Sequence, residues 1–225
     1  MNLKEIISKI KKFWNWIWNS DSILSWIIAL FVIFIIVKFI FFPVMALIMG
    51  NSLPLAGVES SSMDHQIIKN DYGMLTICDK RYSENEKKSF DFDNYWDACG
   101  KWYEERNISQ GEFLNFPLKN GFSKGDIIIV WGRFTPKIGD IIIFKPNEAS
   151  NAPRPIIHRV VSINEGVIQT KGDHNPEQLT ASNNIYKTDE TNIKQEQIIG
   201  KAIFKIPYLG WFKIIIVDFF KEIIG

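Results

Sequence analysis

The chain has 225 residues and a formal net charge of +1 at pH 7, so no global basic field favours a nucleic-acid partner. Hydrophobic residues make up 46% of the sequence and aromatic residues 14%, which is high for a wholly soluble domain. This length allows one domain of moderate size with accessory segments.

Basic and aromatic residues dominate the first segment, residues 1–21. It contains four lysines, two acidic residues and three closely spaced tryptophans, which suit a membrane–water interface. Ile6, Ile7 and Ile10 indicate an amphipathic helix that approaches the membrane. Because short basic flanks of a membrane helix stay on the cytoplasmic side, we predict that this segment is cytoplasmic.

A long apolar run follows. Residues 23–42 contain one charged residue, Lys38, and twenty helical residues at about 1.5 Å each span a hydrocarbon core of about 30 Å. The run is too long for an ordinary cleaved signal sequence, and no small-residue cleavage site follows it directly. We therefore predict a transmembrane helix over residues 22–43 in the cell membrane, with residues 44–208 forming an extracytoplasmic domain.

A polar region with scattered aromatic residues occupies residues 66–122. Its centre, residues 94–106, has a weak helical pattern, and Asn107 begins an N-glycosylation sequon. The only two cysteines, Cys78 and Cys99, do not have the spacing of a four-ligand metal site. An extracytoplasmic compartment permits a disulfide between them, but the sequence leaves that open.

The pattern changes after Lys124. Four strand-sized runs rich in β-branched residues are separated by turn residues, with little helical pattern between them. They predict a mainly antiparallel β domain, with strands in residues 125–132, 139–146, 155–163 and 166–173.

The last segment, residues 209–225, is short and carries several charges. At 100° per residue its large apolar side chains share one face, which predicts an amphipathic helix on the membrane or on the domain. A second membrane-spanning helix is the alternative.

Three serines in a row precede Met63 in the stretch VESSSMDHQI, residues 58–67. A serine cluster is typical of a flexible linker, and a serine hydroxyl needs a base before it can act as a nucleophile. His158 lies in a strand-like run, and histidine is the side chain that most often acts as a general base. Asp173 lies in a glycine-assisted turn after the next run. Each of these residues also has a purely structural interpretation, so none of them alone indicates catalysis.

Their order along the chain is more specific. A Ser-x-Ser-Met phrase follows the membrane helix, and His158 stands directly before Arg159-Val160. With a Gly-Asp strand and a Lys-Gly-Asp-x-Asn-Pro phrase, this order resembles the successive motifs of type I signal peptidases, in their archaeal and endoplasmic-reticulum (Ser–His) form. The matching segments are residues 60–63, 139–144, 158–160, 171–176 and 200–211.

The resemblance implies a signal-peptidase-like antiparallel β catalytic domain and a role for each matching residue. Ser62 would be the nucleophile and His158 the general base, and Asp173, or a neighbouring acid, would orient the histidine. The backbone N–H of Ser62 and the hydroxyl of Ser60 would stabilise the oxyanion, and Met63 would line the substrate groove. The resemblance requires no metal and no organic cofactor.

The sequence departs from the family pattern in three places. Asp64 and His65 stand where the family usually has a proline two residues after the methionine, which makes His65 a second candidate base. Further aspartates are usual just after Asn-Pro, but residues 177–179 are Glu-Gln-Leu. Residues 66–122 are longer than the compact members require, so they form an insertion of unspecified role.

The expected function is therefore removal of N-terminal signal peptides from secretory preproteins. The expected partners are those signal peptides, membrane lipid and the protein-export machinery, without nucleic acid. Two alternatives stay open: a narrower processing protease of the same fold, and a non-catalytic membrane-anchored binding module.

Overall fold

The computed structural model describes residues 2–70 and 72–211. The chain divides into two compact units, at Ile48 and Met49. The predicted C-terminal helix over residues 209–225 lies almost wholly outside the described residues.

The first unit is helical. Helix α1 spans Leu3–Asn19, and helix α2 begins at Ile23 and runs to Ile36. It continues through a π-helical turn, Val37–Phe41, into α3, Phe42–Met49. The continuous helix Ile23–Met49 is long and apolar enough to cross a membrane, and it extends further than residues 22–43.

The π-helical turn ends two residues before Pro43. The N–H of Phe42 donates to the carbonyl oxygen of Val37, five residues back, so the helix is wider there than an α-helix. A proline has no N–H and its ring crowds the carbonyl four residues earlier. The wider turn precedes this proline, and the helix continues to Met49.

In the second unit, the described residues form two antiparallel sheets. The strands, in chain order, are β1 Leu55–Gly57, β2 Ile68–Lys69, β3 Leu75–Ile77, β4 Lys80–Tyr82, β5 Ile127–Trp131, β6 Ile141–Phe144, β7 Ile156–Asn164, β8 Val167–Lys171 and β9 Ile198–Ile206. The larger sheet has the order β1-β5-β9-β6-β7-β8, and the smaller one has the order β2-β3-β4.

The prediction of a mainly antiparallel β domain behind an apolar helix is confirmed. Each of the four predicted strands is present, as β5 to β8. Strand β9 was not predicted; it lies between β5 and β6 and pairs with both.

The insertion, residues 66–122, forms the smaller sheet and three helices: α4 Glu84–Lys88, α5 Phe92–Glu104 and α6 Gln110–Phe113. Helix α5 starts at a capping box between Asp91 and Asn94, and it occupies most of the region predicted as weakly helical. Its aromatic residues pack with α6 into a separate apolar core, and a disulfide joins Cys78 to Cys99 within that core.

Candidate active site

Ser62 lies in a tight turn that follows β1. The N–H of His174 donates to the carbonyl oxygen of Ser62 at 2.9 Å, and the N–H of Phe122 donates to that of Met63 at 3.0 Å. Because both carbonyl groups are bonded to distant parts of the chain, the backbone of the serine is held in place while its side chain stays partly exposed.

His158 reaches the serine from strand β7 of the same six-stranded sheet that contains β1. It lies on β7 opposite Ile142 of β6 and is 3% exposed. Its Nε2 atom is 2.8 Å from the Oγ atom of Ser62. The structure thus brings together the serine and the histidine that the sequence singles out.

A buried carboxylate completes this chain of hydrogen bonds, and it belongs to Glu190. Oε1 of Glu190 contacts Nδ1 of His158. The same oxygen accepts from the hydroxyl of Thr170 at 2.9 Å, and Oε2 accepts from the N–H of Leu179 at 2.8 Å. These donors fix the carboxylate in a fully buried position.

The arrangement selects one form of the neutral imidazole. With the proton on Nδ1 donated to Glu190, Nε2 of His158 has a free lone pair directed at the hydroxyl of Ser62. That tautomer is the one a general base needs in order to take the proton of a serine.

Asp173 does not contact His158, which corrects the prediction that it orients the base. Its carboxylate accepts from Nε and Nη2 of Arg159, from the hydroxyl of Tyr103 at 2.9 Å, and lies 2.9 Å from Nε2 of His65. The physical reason is the alternation of side chains along a strand: His158 and Arg159 are neighbours on β7 and point to opposite faces. Asp173 is on the Arg159 side, and the cation holds the pKa of this carboxyl well below its usual range despite complete burial.

His65, the second candidate base, belongs to the same cluster as Asp173. It is 5% exposed and its ring stacks on that of Tyr95, with the centroids 3.8 Å apart. Burial lowers the pKa of His65, in spite of its contact with Asp173. The histidine whose ring nitrogen contacts the Oγ atom of Ser62 is His158.

The two remaining predicted site residues differ in their placement. The Oγ atom of Ser60 is exposed and lies 3.1 Å from that of Ser62. Met63 is 1% exposed and is packed in the core beneath the turn, where its sulfur lies 3.4 Å from the N–H of Asp173. The prediction that Met63 lines the substrate groove is therefore wrong, because its side chain points away from the cavity into the core.

A cavity of about 840 Å3 opens onto the serine and the histidine. Strand β1 forms one wall and residues 152–157 form another. Strand β1 is at the end of its sheet, and among residues 2–70 and 72–211 it pairs with β5 only, so its other backbone edge is unpaired by these residues. The remaining lining is mostly apolar: Leu53, Phe122, Ile143, Leu179, Ile185 and Tyr186.

Within residues 2–70 and 72–211, no group of three or more histidine, cysteine or acidic side chains is placed to hold a metal ion.

Comparison with known proteins identifies relatives. A signal peptidase complex catalytic subunit from Colletotrichum graminicola is 26% identical over 113 residues, which cover 47% of this chain and 62% of that protein. A human signal peptidase complex catalytic subunit is 30% identical over 115 residues, which cover 48% of this chain and 57% of the human protein. Over about half of its length, the chain is similar in sequence to catalytic subunits of the signal peptidase complex. It spans less than two thirds of the length of these relatives, and no protein-family model matches it.

The signal peptidase relatives named here are eukaryotic. They support the endoplasmic-reticulum form of the predicted resemblance and do not support its archaeal form. Glu190 is the site residue that the sequence analysis missed. It lies 32 residues beyond His158 in a polar stretch, Thr-Asp-Glu-Thr-Asn, which reads as an ordinary loop.

Proposed function

We propose that the chain is a membrane-anchored serine endopeptidase that removes signal peptides from exported preproteins. The observation that carries this proposal is the hydrogen-bonded chain from Ser62 through His158 to buried Glu190, which faces an open cavity. A chain of nucleophile, base and orienting acid is the arrangement that acyl transfer by a serine requires.

Catalysis begins when the Oγ atom of Ser62 attacks the scissile carbonyl carbon and its proton passes to Nε2 of His158. The imidazolium then donates that proton to the departing amine, which leaves an acyl-enzyme. A water molecule, deprotonated by His158, then attacks the ester carbon. The ester bond breaks, the imidazolium returns the proton to the Oγ atom of Ser62, and the product leaves as a carboxylate or carboxylic acid. Glu190 keeps the proton on Nδ1 and stabilises the positive charge of the imidazolium in both steps.

The tetrahedral intermediate carries a negative charge that needs hydrogen-bond donors. The backbone N–H of Ser62 supplies one, and the exposed hydroxyl of Ser60, 3.1 Å from the nucleophile, supplies a second. The loss of one such donor typically costs about 2.7–4 kcal/mol of transition-state stabilisation.

The substrate binds as an extended segment along the unpaired edge of β1. Backbone groups of an added strand pair with that edge, while alternate side chains enter the cavity between β1 and residues 152–157. We expect small side chains before the cut, next to the serine.

The apolar helix Ile23–Met49 anchors the enzyme, with residues 1–21 on the cytoplasmic side and the β domain outside. Anchoring restricts the search for substrate to the membrane surface and raises the effective concentration. Membrane lipid and the export machinery are the partners that this placement implies.

Cleavage of a membrane-inserted preprotein by the purified full chain in lipid tests the proposal. Ser62→Ala and His158→Ala should abolish cleavage. Glu190→Gln should lower kcat by about 10³- to 10⁴-fold, because the amide no longer fixes the correct tautomer. Ser61→Ala and Glu177→Gln are the matched controls, and both should keep the wild-type rate.

Three results would contradict parts of the proposal. If Ser62→Ala still cleaves the preprotein, Ser62 is not the nucleophile. If His158→Ala still cleaves it and His65→Ala does not, the general base is His65. If the wild-type chain cleaves no preprotein, the proposed peptidase activity is wrong.

A further inference from the structure

The described residues of the insertion contribute no polar group to the Ser62–His158–Glu190 chain, yet the insertion is bonded to the segment that holds this chain together. The point of contact is Asp173. Its carboxylate accepts from the hydroxyl of Tyr103, and its carbonyl oxygen accepts from the hydroxyl of Tyr95 at 3.1 Å. Both tyrosines belong to α5, are fully buried and come from the insertion.

The neighbours of Asp173 touch the reacting residues. Gly172 packs so closely that an added Cβ would lie 2.7 Å from Nε2 of His158 and 2.8 Å from the carbonyl oxygen of Ser62. On the other side, the N–H of His174 donates to that same serine carbonyl at 2.9 Å. A displacement of residues 172–174 therefore displaces the nucleophile relative to its base.

Arg159 gives the insertion a second connection. The guanidinium, fully buried beside His158 in the chain, donates to the carbonyl oxygens of Pro117 at 3.0 Å and Leu118 at 3.3 Å. Its Cζ atom lies 4.8 Å from the ring centroid of Phe113, at cation–π distance. The end of the insertion thus covers the cation that pairs with Asp173.

The smaller sheet makes a third connection. The N–H of Cys78 donates to the carbonyl oxygen of His174 at 3.2 Å, and the disulfide ties Cys78 to Cys99 on α5. The two elements of the insertion that reach residues 172–174 are therefore covalently joined to each other.

We propose that the insertion positions the catalytic serine and histidine, and that Tyr103 is its principal positioning residue, acting through Asp173. Tyr103 touches neither reacting atom. Its hydroxyl is one of the donors that fix the buried carboxylate, and the carboxylate fixes the segment behind Ser62 and His158. The kinetic part of this inference rests on the proposed peptidase activity.

Tyr103→Phe tests the inference, because it removes one hydroxyl and keeps the aromatic ring. Tyr82→Phe is the matched control: it lies in the same insertion, packs against Phe90, and shows no contact with Asp173 among the described residues. Tyr95→Phe is the second variant, which removes the bond to the carbonyl oxygen of Asp173.

The first readout is steady-state cleavage of a membrane-inserted preprotein by the full chain in lipid. Tyr103→Phe should lower kcat by about 10- to 100-fold, as expected when reacting groups are misplaced by a fraction of an ångström to an ångström. KM should stay unchanged, because the cavity walls do not involve Tyr103. Tyr82→Phe should match the wild type in both constants.

The second readout, amide hydrogen exchange at residues 172–174, needs no activity. Tyr103→Phe should speed exchange at His174, whose amide is bonded to Ser62, and leave the strands β5 and β9 protected. The inference would be overturned if Tyr103→Phe and Tyr82→Phe had the same kcat and the same exchange rate at His174. It would also be overturned if Tyr103→Phe exchanged faster throughout the second unit, because that result indicates only a loss of stability. If the wild type cuts nothing, the proposed function fails, while the exchange at His174 still decides whether Tyr103 holds this segment.

Discussion

Lys171 is a fully buried cation next to the site. Its Nζ atom donates to the carbonyl oxygen of Gly172 at 3.1 Å and lies 4.9 Å from the ring centroid of Tyr103. Burial lowers the pKa of this amine from 10.5 to about 8, although the charges of Asp173 and Glu190 oppose the shift. The folded protein therefore binds the proton of Lys171 less tightly than the unfolded chain does.

This difference predicts a dependence of stability on pH. Between pH 8 and pH 10 the unfolded chain keeps the proton on Lys171 and the folded protein releases it, so the free energy of unfolding rises with pH. Relative to Lys171→Met, the wild type should gain about 2–3 kcal/mol over this range. Denaturant unfolding at a series of pH values measures this gain. Lys137→Met, which removes an exposed lysine, is the control: the difference in the free energy of unfolding between it and the wild type should not change with pH. A flat difference between wild type and Lys171→Met would contradict the lowered pKa.

The tyrosines of α5 affect the stability of the fold above this pH range. Burial raises the pKa of both Tyr95 and Tyr103 well above its ordinary value of 10. A raised pKa stabilises the fold below pH 10 and that contribution is lost as the pH rises further. Because the wild type and Lys171→Met share both tyrosines, the difference between the two proteins isolates the lysine.

Single residues also show how far the sequence could predict the site. Ser62 and His158 were found because each is followed by a distinctive phrase, Met63 and Arg159-Val160. Glu190 was not found, since Asp189 and Glu190 are adjacent and only the fold decides which carboxylate points inward. Asp189 instead accepts from the N–H of Thr191 at 2.9 Å, as an ordinary loop residue does.

At the scale of elements, local pattern was sufficient for β5 to β8, because each is a β-branched run between turn residues. It was insufficient for the order of the sheet. Strand β9 follows β8 by 26 residues and lies between β5 and β6, a pairing that depends on contacts distant in sequence. The disulfide of the insertion was likewise undecided, since two cysteines in a sequence do not show that they meet.

The insertion should depend on that disulfide for stability. Cys78 and Cys99 are 21 residues apart, and closing a loop of this length stabilises a fold by about 3 kcal/mol. The double variant Cys78→Ala/Cys99→Ala should lose stability of this order, which thermal unfolding followed by near-ultraviolet circular dichroism measures. A reductant should lower the Tm of the wild type toward that of the double variant and leave the Tm of the double variant unchanged. Two freely labelled thiols in the native, unreduced wild type would contradict the prediction.

At the scale of the whole molecule, the basic segment before the apolar helix bears on which side of the membrane the β domain faces. Helix α1 carries Lys4, Lys9, Lys11 and Lys12 against Glu5 alone, and the apolar helix begins four residues after its end. Lysines next to a membrane-spanning helix stay cytoplasmic, and this bias sets orientation. The proposed function requires that outcome, because a signal peptide is cut after its chain has reached the outer side.

The orientation can be read at Asn107. Its side chain is exposed at the end of α5, and it begins the sequon Asn-Ile-Ser, which receives a glycan only on the lumenal side of a microsomal membrane. Synthesised into microsomes, the wild type should carry this glycan and should have its β domain protected from added protease. Replacing the four lysines of α1 by glutamine should give a mixture of orientations, with a smaller glycosylated and protected fraction. Replacement by arginine keeps the charge and should preserve the wild-type pattern, and Asn107→Gln shows which band carries the glycan. If protease added outside the vesicles digests the β domain of the wild type, the orientation is the opposite of the predicted one, whether or not Asn107 carries a glycan.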